Sequence, residues 1–304
     1  YLKPKGRLST DPAKYRPITC LNTLYKIITA CIAEKIYNHC EKFGLLAEEQ
    51  KGCRRGTLGC KEQLIIDETI TEQAYKKNRR LHTAYIDYQK AYDAVPHSWL
   101  IEVLEVYKVD PILTSFLTNI MKKWKTMITL STESKRLEIN EVRIRRGIFQ
   151  GDTLSPLWFC LALNPLSRML KNERAGYVLK NDDGSQERIT HLFYMDDLKL
   201  YAKSKKEMEL LIKKVAQFSK DIRMKFGMDK CRTVTIAKRR MEHNDFSTSV
   251  NGDGEQEEIM KALYEDDVYK YLGIEQCRRT ETKIVKERIS KEFTCRINLV
   301  CKSG

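Results

Sequence analysis

His191-Leu192-Phe193-Tyr194-Met195-Asp196-Asp197-Leu198-Lys199-Leu200-Tyr201 sets two adjacent acids inside a run otherwise fit for burial. The residues before the acids and the apolar-rich return after them fit a tight β-hairpin, with the acids at its turn. Asp tolerates the left-handed backbone that such turns need. Taken alone, the pair is an ordinary turn with solvated carboxylates. A second short strand, His82-Thr83-Ala84-Tyr85-Ile86-Asp87, alters that picture because it also ends in a carboxylate. If the two strands are neighbours, three acids converge. At about 4 Å two like charges repel by roughly 1 kcal/mol in water and roughly 4 kcal/mol at an effective dielectric of 20. Such a cluster either protonates or takes a cation, and carboxylate oxygens suit Mg²⁺.

Outward from these strands, helices and strands interleave irregularly, which favours an α/β or α+β domain. Residues 21–43 carry apolar positions at helical period (Leu21, Leu24, Ile27, Ile28, Cys31, Ile32, Ile36), and the period resumes at 62–75 after the loop GCRRGTLG at 52–59. Two helices are expected over 97–124, broken near Asp110-Pro111. A hairpin is expected over 126–148, turning around Glu138–Glu141. After Gly151, the residues Asp152, Thr153 and Ser155 read as caps, and Pro156 suits a first helical turn. Residues 205–224 read as an amphipathic helix, Thr233–Ala237 as a strand, and the polar segment Asn244–Glu258 as a surface loop.

The chain has 304 residues, 42% of them hydrophobic, with 15 Tyr and a formal net charge of +14. That composition fits a folded chain with a polyanionic partner. Basic clusters (Lys51/Arg54/Arg55, Lys76/Lys77/Arg79/Arg80, Lys122/Lys123/Lys125, Arg143/Arg145/Arg146, Lys238/Arg239/Arg240) alternate with folded segments, which fits a phosphate-lined channel better than a single basic tail. No long basic amphipathic helix marks a membrane surface, and the longest uncharged run, 153–167, is too short to span a bilayer. Ten cysteines without a C-x-x-C pair fit buried thiols better than zinc or disulfides. No signal-peptide pattern is visible; the start at Tyr1 and the end just after an apolar-periodic segment read as a fragment of a longer protein.

A rival acidic turn occurs in ALYEDDVYKYLGI at 262–274, which holds Asp266-Asp267. Its upstream flank, 255–261, is heavily charged, so no buried strand is expected to lead into it. A solvated turn accounts for it.

Four stretches, in order and at their spacing, carry a family resemblance: YIDYQKAYDAVPH (85–97), GIFQGDTLSPLWF (147–159), FYMDD (193–197) and YKYLGI (269–274). The chain resembles the reverse transcriptase domain of non-LTR, target-primed retrotransposons over nearly its whole length. Within them it resembles the single-frame kind that inserts into ribosomal RNA genes. The resemblance implies an α+β right-hand polymerase fold: fingers at 1–80 and 100–147, palm at 81–99 and 148–275, and an incomplete thumb from 276 to 304. It implies an RNA-directed DNA polymerase that adds dNTPs to a DNA primer 3′-OH on an RNA template. A nuclear site of action, with a cytoplasmic ribonucleoprotein stage, and an endonuclease domain elsewhere in the full-length protein also follow.

Residue by residue, the resemblance makes Asp87, Asp196 and Asp197 the ligands of two Mg²⁺ ions, replaceable by Mn²⁺, with the Tyr88 carbonyl as a further ligand. It places Tyr92 under the incoming sugar, where it excludes a ribose 2′-OH. Gln150 and Gly151 would line the incoming nucleotide, although a glycine needed only for the turn explains Gly151 as well. Arg16 of YRPI would reach template, and Arg54 and Arg55 the triphosphate; Gly52-Cys53-Arg54 stands where the family has Gly-Phe-Arg. Lys230 of FGMDKC would protonate pyrophosphate, with Gly227 where the family has Asn; a surface lysine explains it equally well. Tyr194, Met195 and the turn Tyr271-Leu272-Gly273 would hold template and primer, against the alternative of a β-turn packing its own Tyr and Leu.

Three rivals stand beside this. A viral RNA-dependent RNA polymerase would carry a polar residue near position 92, and Gly before the acids where Tyr194-Met195 stand. A catalytically inactive, maturase-like RNA-binding relic would have lost a carboxylate, whereas all three are present. A plain α/β domain with acidic turns explains each feature singly and their order badly.

Overall fold

Leu81–Ile86 (β1) is buried at all six positions, the mark of a strand with neighbours on both edges and cover on both faces. The computed structural model describes residues 19–131, 136–181, 183–248, 258–277 and 280–302. Before β1 come helices α1 (Thr23–Lys42) and α2 (Cys60–Lys76). After it come a single turn α3 (Ala91–Ala94), α4 (His97–Val106), α5 (Pro111–Lys122), the hairpin β2 (Lys125–Ser131) and β3 (Arg136–Arg143), and the long helix α6 (Ser155–Lys171). Two hairpins follow, β4 (Tyr177–Lys180) with β5 (Gln186–Ile189), and β6 (His191–Tyr194) with β7 (Asp197–Ala202). Then come α7 (Lys205–Asp221), β8 (Arg232–Ala237), β9 (Arg240–Glu242), β10 (Phe246–Thr248), β11 (Glu258–Ala262), β12 (Tyr269–Tyr271), β13 (Ile274–Gln276) and α8 (Thr282–Lys302).

The main sheet runs β10-β11-β8-β1-β7-β6, with β9 also on β8. Every pair is antiparallel except β11 with β8. Alternation along β1 divides the core in two. Ala84 and Ile86 face the larger core with α4, α6 and α7, while Leu81 and Tyr85 face a smaller one with Ile70 and Ala74 of α2. The helices obey their local signals. Asn22 caps α1 through Leu24 N–H at 2.8 Å, Asp110 caps α5 through Ile112 N–H at 2.8 Å with Pro111 in the first turn, and Ser204 caps α7.

Four expectations are corrected. Glu138–Glu141 lie within β3 and do not form the hairpin turn. Asp152 does not cap α6: its carboxylate accepts from the Thr153 N–H at 2.8 Å and the Thr29 hydroxyl at 2.6 Å, and the capping position is Leu154. Asn244–Glu258 is not all loop, because Phe246 and Thr248 of β10 are buried and pair with β11. A strand does lead toward Asp266-Asp267: β11 buries Met260 and Ala262, with Ile259 and Lys261 on its exposed face. Net charge hides a half-buried strand that pairs with β10 on one side and β8 on the other, since one apolar face is enough to anchor it.

Candidate active site

β1 and β7 are antiparallel neighbours with Ile86 opposite Leu198. Asp87 follows β1 directly and Asp197 precedes Leu198, so the two acids leave the ladder at the same end. The β6–β7 hairpin closes with Tyr194 opposite Asp197, leaving Met195 and Asp196 as its two-residue turn. The three acids predicted to converge do so at one end of the sheet. Burial raises the Asp197 carboxyl to about 7, the charges of Asp196 and Asp87 push the same way, and Lys230 opposes them. It is Met195, not an Asp, that takes the left-handed conformation, with φ of +57°.

The segment 225–231 runs beside Asp87. Gly227 N–H donates to the Asp87 carbonyl at 2.7 Å and Gln89 N–H to the Lys225 carbonyl at 2.9 Å. Tyr88 thus faces Phe226 as a non-hydrogen-bonded pair, so its own carbonyl points away from that neighbour, while its ring is buried with its hydroxyl on Ser219 at 2.9 Å. Lys230 Nζ lies 3.0 Å from Asp87 Oδ2. A Cβ at Gly227 would fall 2.6 Å from that same oxygen and 3.6 Å from Asp229 Oδ1, so the bare glycine makes room for the ion pair.

Among the described residues no three His, Cys, Asp or Glu side chains stand together as a ready-made metal cage, and Asp87 gives one oxygen to Lys230. The donor chemistry nonetheless fits a hard divalent cation. The groups are carboxylates, and Asp197 carries a raised pKa, part of it from neighbouring negative charges that a cation would neutralise.

Tyr92 lies flat against Phe159, ring centroids 4.7 Å apart and planes 9° from parallel, on the α3 turn just beyond Asp87. Gly151, with φ of +116°, approaches Thr19 so closely that a Cβ would meet its carbonyl at 2.9 Å, and Gln150 accepts from Thr19 N–H at 3.0 Å. That contact alone accounts for the glycine. Arg54 donates to the carbonyls of Leu46 and Ala47 at 3.1 and 3.0 Å, and Arg55 forks onto Glu34 with its guanidinium over the Tyr37 ring. Both arginines brace the loop that carries them. Arg16 lies outside the described residues.

Tyr271 is buried, with its hydroxyl 3.4 Å from Gln63 Oε1. Leu272 and Gly273 form the two-residue turn of the β12–β13 hairpin, both with positive φ. Tyr194 is half-buried on the neighbouring hairpin. Asp266 and Asp267 remain an exposed turn, with the Asp267 carboxylate accepting from Tyr264 N–H at 2.9 Å.

Sequence reading missed three residues. Gln50 reaches the Met195 turn from 145 positions away. Asp67 and Lys199 form an ion pair of 2.6 Å with each side chain 3% exposed. An acid inside an amphipathic helix and a lysine inside a strand gave a signal only in combination, and nothing local pairs them.

The family described as reverse transcriptase (RNA-dependent DNA polymerase) matches residues 2–276. The Retrovirus-related Pol polyprotein from the type-2 retrotransposable element R2DM of Drosophila melanogaster is 25% identical over 277 residues, covering 89% of this chain and 24% of that protein. The R2 Pol polyprotein of Nasonia vitripennis is 25% identical over 280 residues, covering 90% and 25%. The chain thus spans about a quarter of the length of these curated relatives. Among solved structures, a telomerase from Candida tropicalis truncated from its C-terminal domain aligns with a TM-score of 0.48 and 13% identity, covering 83% of this chain and 44% of that one. No described helix is long and apolar enough to cross a membrane. With its carboxylates gathered on adjoining strand ends and this match across nearly all its length, the chain belongs to the reverse transcriptase (RNA-dependent DNA polymerase) family.

Proposed function

We propose that this chain is the catalytic part of a non-LTR retrotransposon protein that adds dNTPs to a DNA primer 3′-OH along an RNA template. The observation that carries the proposal is the meeting of Asp87 with Asp196-Asp197 at the ends of two paired strands. Asp87, Asp196 and Asp197, with the Tyr88 carbonyl, would hold two Mg²⁺ ions. When bound, these ions supply Lewis-acid stabilisation of charge on the attacking and departing oxygens. Lys230, already beside Asp87, offers a proton and a positive charge to the departing pyrophosphate.

Tyr92 carries sugar selection: a ring fixed by stacking on Phe159 presents a wall that a 2′-OH would strike. Gln150 and Gly151 lie along the nucleotide path. Tyr194, Met195 and the tight turn at Tyr271, Leu272 and Gly273 support the primer end. Arg16, Arg54 and Arg55 serve phosphates, the last two after exchanging their internal partners. In this reading the main sheet with α6 and α7 is the palm, the segments before β1 and over 100–147 are fingers, and α8 begins a thumb. The full-length protein adds an endonuclease domain and works on chromosomal DNA in the nucleus.

The test is primer extension on poly(rA)/oligo(dT) with Mg²⁺, native chain against Asp196→Asn. Losing one acid removes a ligand and a charge from the site, and a fall in rate of about a hundredfold or more is expected. Equal extension by both proteins would overturn the assignment.

A further inference from the structure

Asp196 sits on a two-residue turn whose other residue, Met195, is held at φ of +57°. A left-handed backbone costs a residue with a Cβ roughly 1–2 kcal/mol, so something outside the hairpin must maintain it. Gln50 does so from both sides. Its Oε1 accepts from Met195 N–H at 2.9 Å, and its amide group donates to the Met195 carbonyl at 3.1 Å. The same Oε1 accepts from Gly52 N–H at 2.9 Å. Only this amide orientation satisfies all three bonds.

The arm bearing Gln50 is itself anchored. It runs parallel to β6, with Phe193 N–H donating to Glu49 at 2.9 Å and Lys51 N–H to Phe193 at 3.0 Å. Gln63 of α2 donates to the Glu49 carbonyl at 3.0 Å and also to that of Phe193. Upstream, the Ala47 N–H is fixed by Asn164 of α6 at 2.8 Å. Gly52 closes the clasp: a Cβ there would fall 2.7 Å from Met195 N and 2.6 Å from its Sδ. Beneath, Cys160 Sγ touches Met195 Sδ at 3.6 Å.

We infer that Gln50 is a positioning residue: by holding the backbone N–H and C=O of Met195, and so the peptide units on either side of that residue, it fixes where the Asp196 carboxylate stands. The inference rests on the polymerase reading above. Without Gln50 the Met195 backbone is free to relax toward a right-handed conformation, and a displacement of about 1 Å at a reacting centre costs about a hundredfold in rate.

The test uses Gln50→Met, which keeps the volume and removes the hydrogen bonds, with Gln50→Glu as a second variant that keeps the acceptor and loses the donor. Single-nucleotide addition and amide hydrogen exchange over 193–198 are measured in both. A core truncation at the far end of the sheet, Ile236→Ala, serves as the stability control. For Gln50→Met, a kcat lower by about tenfold to a hundredfold is expected, with KM for dNTP within about threefold. Met195 amide exchange should rise by about tenfold. Gln50→Glu should move both readouts in the same direction by less, and Ile236→Ala should lower the melting temperature while leaving kcat within about threefold. A folded Gln50 variant with unchanged exchange, or one with raised exchange and native kcat, would overturn the inference. So would an Ile236→Ala protein that loses kcat as much as Gln50→Met does. A native chain without any nucleotide addition would sink the polymerase reading, and the inference with it.

Discussion

Replacing Lys199 by methionine strips the cation from the most deeply buried ion pair described in the molecule. Lys199 lies two residues beyond Asp197 on β7, and its ammonium meets Asp67 of α2 at 2.6 Å. It also donates to the Tyr85 hydroxyl at 2.7 Å. Tyr201 donates to one oxygen of Asp67 at 2.8 Å, and Gln276 of β13 to the other at 3.0 Å. Burial drags the lysine pKa below its ordinary value while Asp67 pushes it back. Lys199→Met is close in volume, so the loss is electrostatic: a buried carboxylate keeps its hydrogen bonds from Tyr201 and Gln276 but loses its countercharge, which costs about 3–5 kcal/mol. Unfolding entropy near 2.1 cal/mol/K per residue gives roughly 0.6 kcal/mol/K for this chain, so the melting temperature should fall by about 5–8 °C. Adding Asp67→Asn removes the stranded charge and should restore about half of that loss, roughly 2 kcal/mol. Thermal unfolding by circular dichroism of native, single and double variants reads both quantities. A single variant within about 2 °C of native, or a double variant no better than the single, would refute the reasoning.

Tyr92→Val should lower discrimination against ribonucleotides by about tenfold or more, read from the ratio of kcat/KM for dNTP and rNTP; an unchanged ratio removes the gate role. Gly147→Ala should destabilise the chain by roughly 2–5 kcal/mol, because φ is +78° and a Cβ would meet backbone atoms of Tyr92 and Asp93 at 2.7–2.9 Å; a denaturant midpoint equal to native would contradict the contact. His191 is fully buried between Ser167 and Thr190, each 2.7 Å away, and burial lowers its pKa to about 4. A depressed histidine contributes stability that is complete above its unfolded pKa near 6.5 and is lost as pH falls toward 4, about 3 kcal/mol in all. His191→Gln should flatten that part of the stability profile, and a slope identical to native would count against the assignment.

What the sequence determined by itself is local. The 3.6-residue period of α1 and α7, the Asp110-Pro111 start of α5 and the apolar flanks of Asp196-Asp197 are properties of neighbouring residues, and each element formed where its pattern lay. The order of four motifs also marked the family, because chemistry fixes spacing between residues that share one site. Tertiary structure decided the rest. It set β1 between β7 and β8, partners more than a hundred positions away, and so brought Asp87 to Asp197. It gave the left-handed position in the turn to Met195, because Gln50 and Gly52 hold that residue and neither touches it in sequence. It buried Lys199, which alternation alone leaves on a face of unknown cover, because α2 and the β12–β13 hairpin close over that face. It made a strand of the charged segment at β11, where ladders to β10 and β8 and two buried side chains hold it. Periodicity records which face a residue shares with its neighbours, and only packing decides what that face meets.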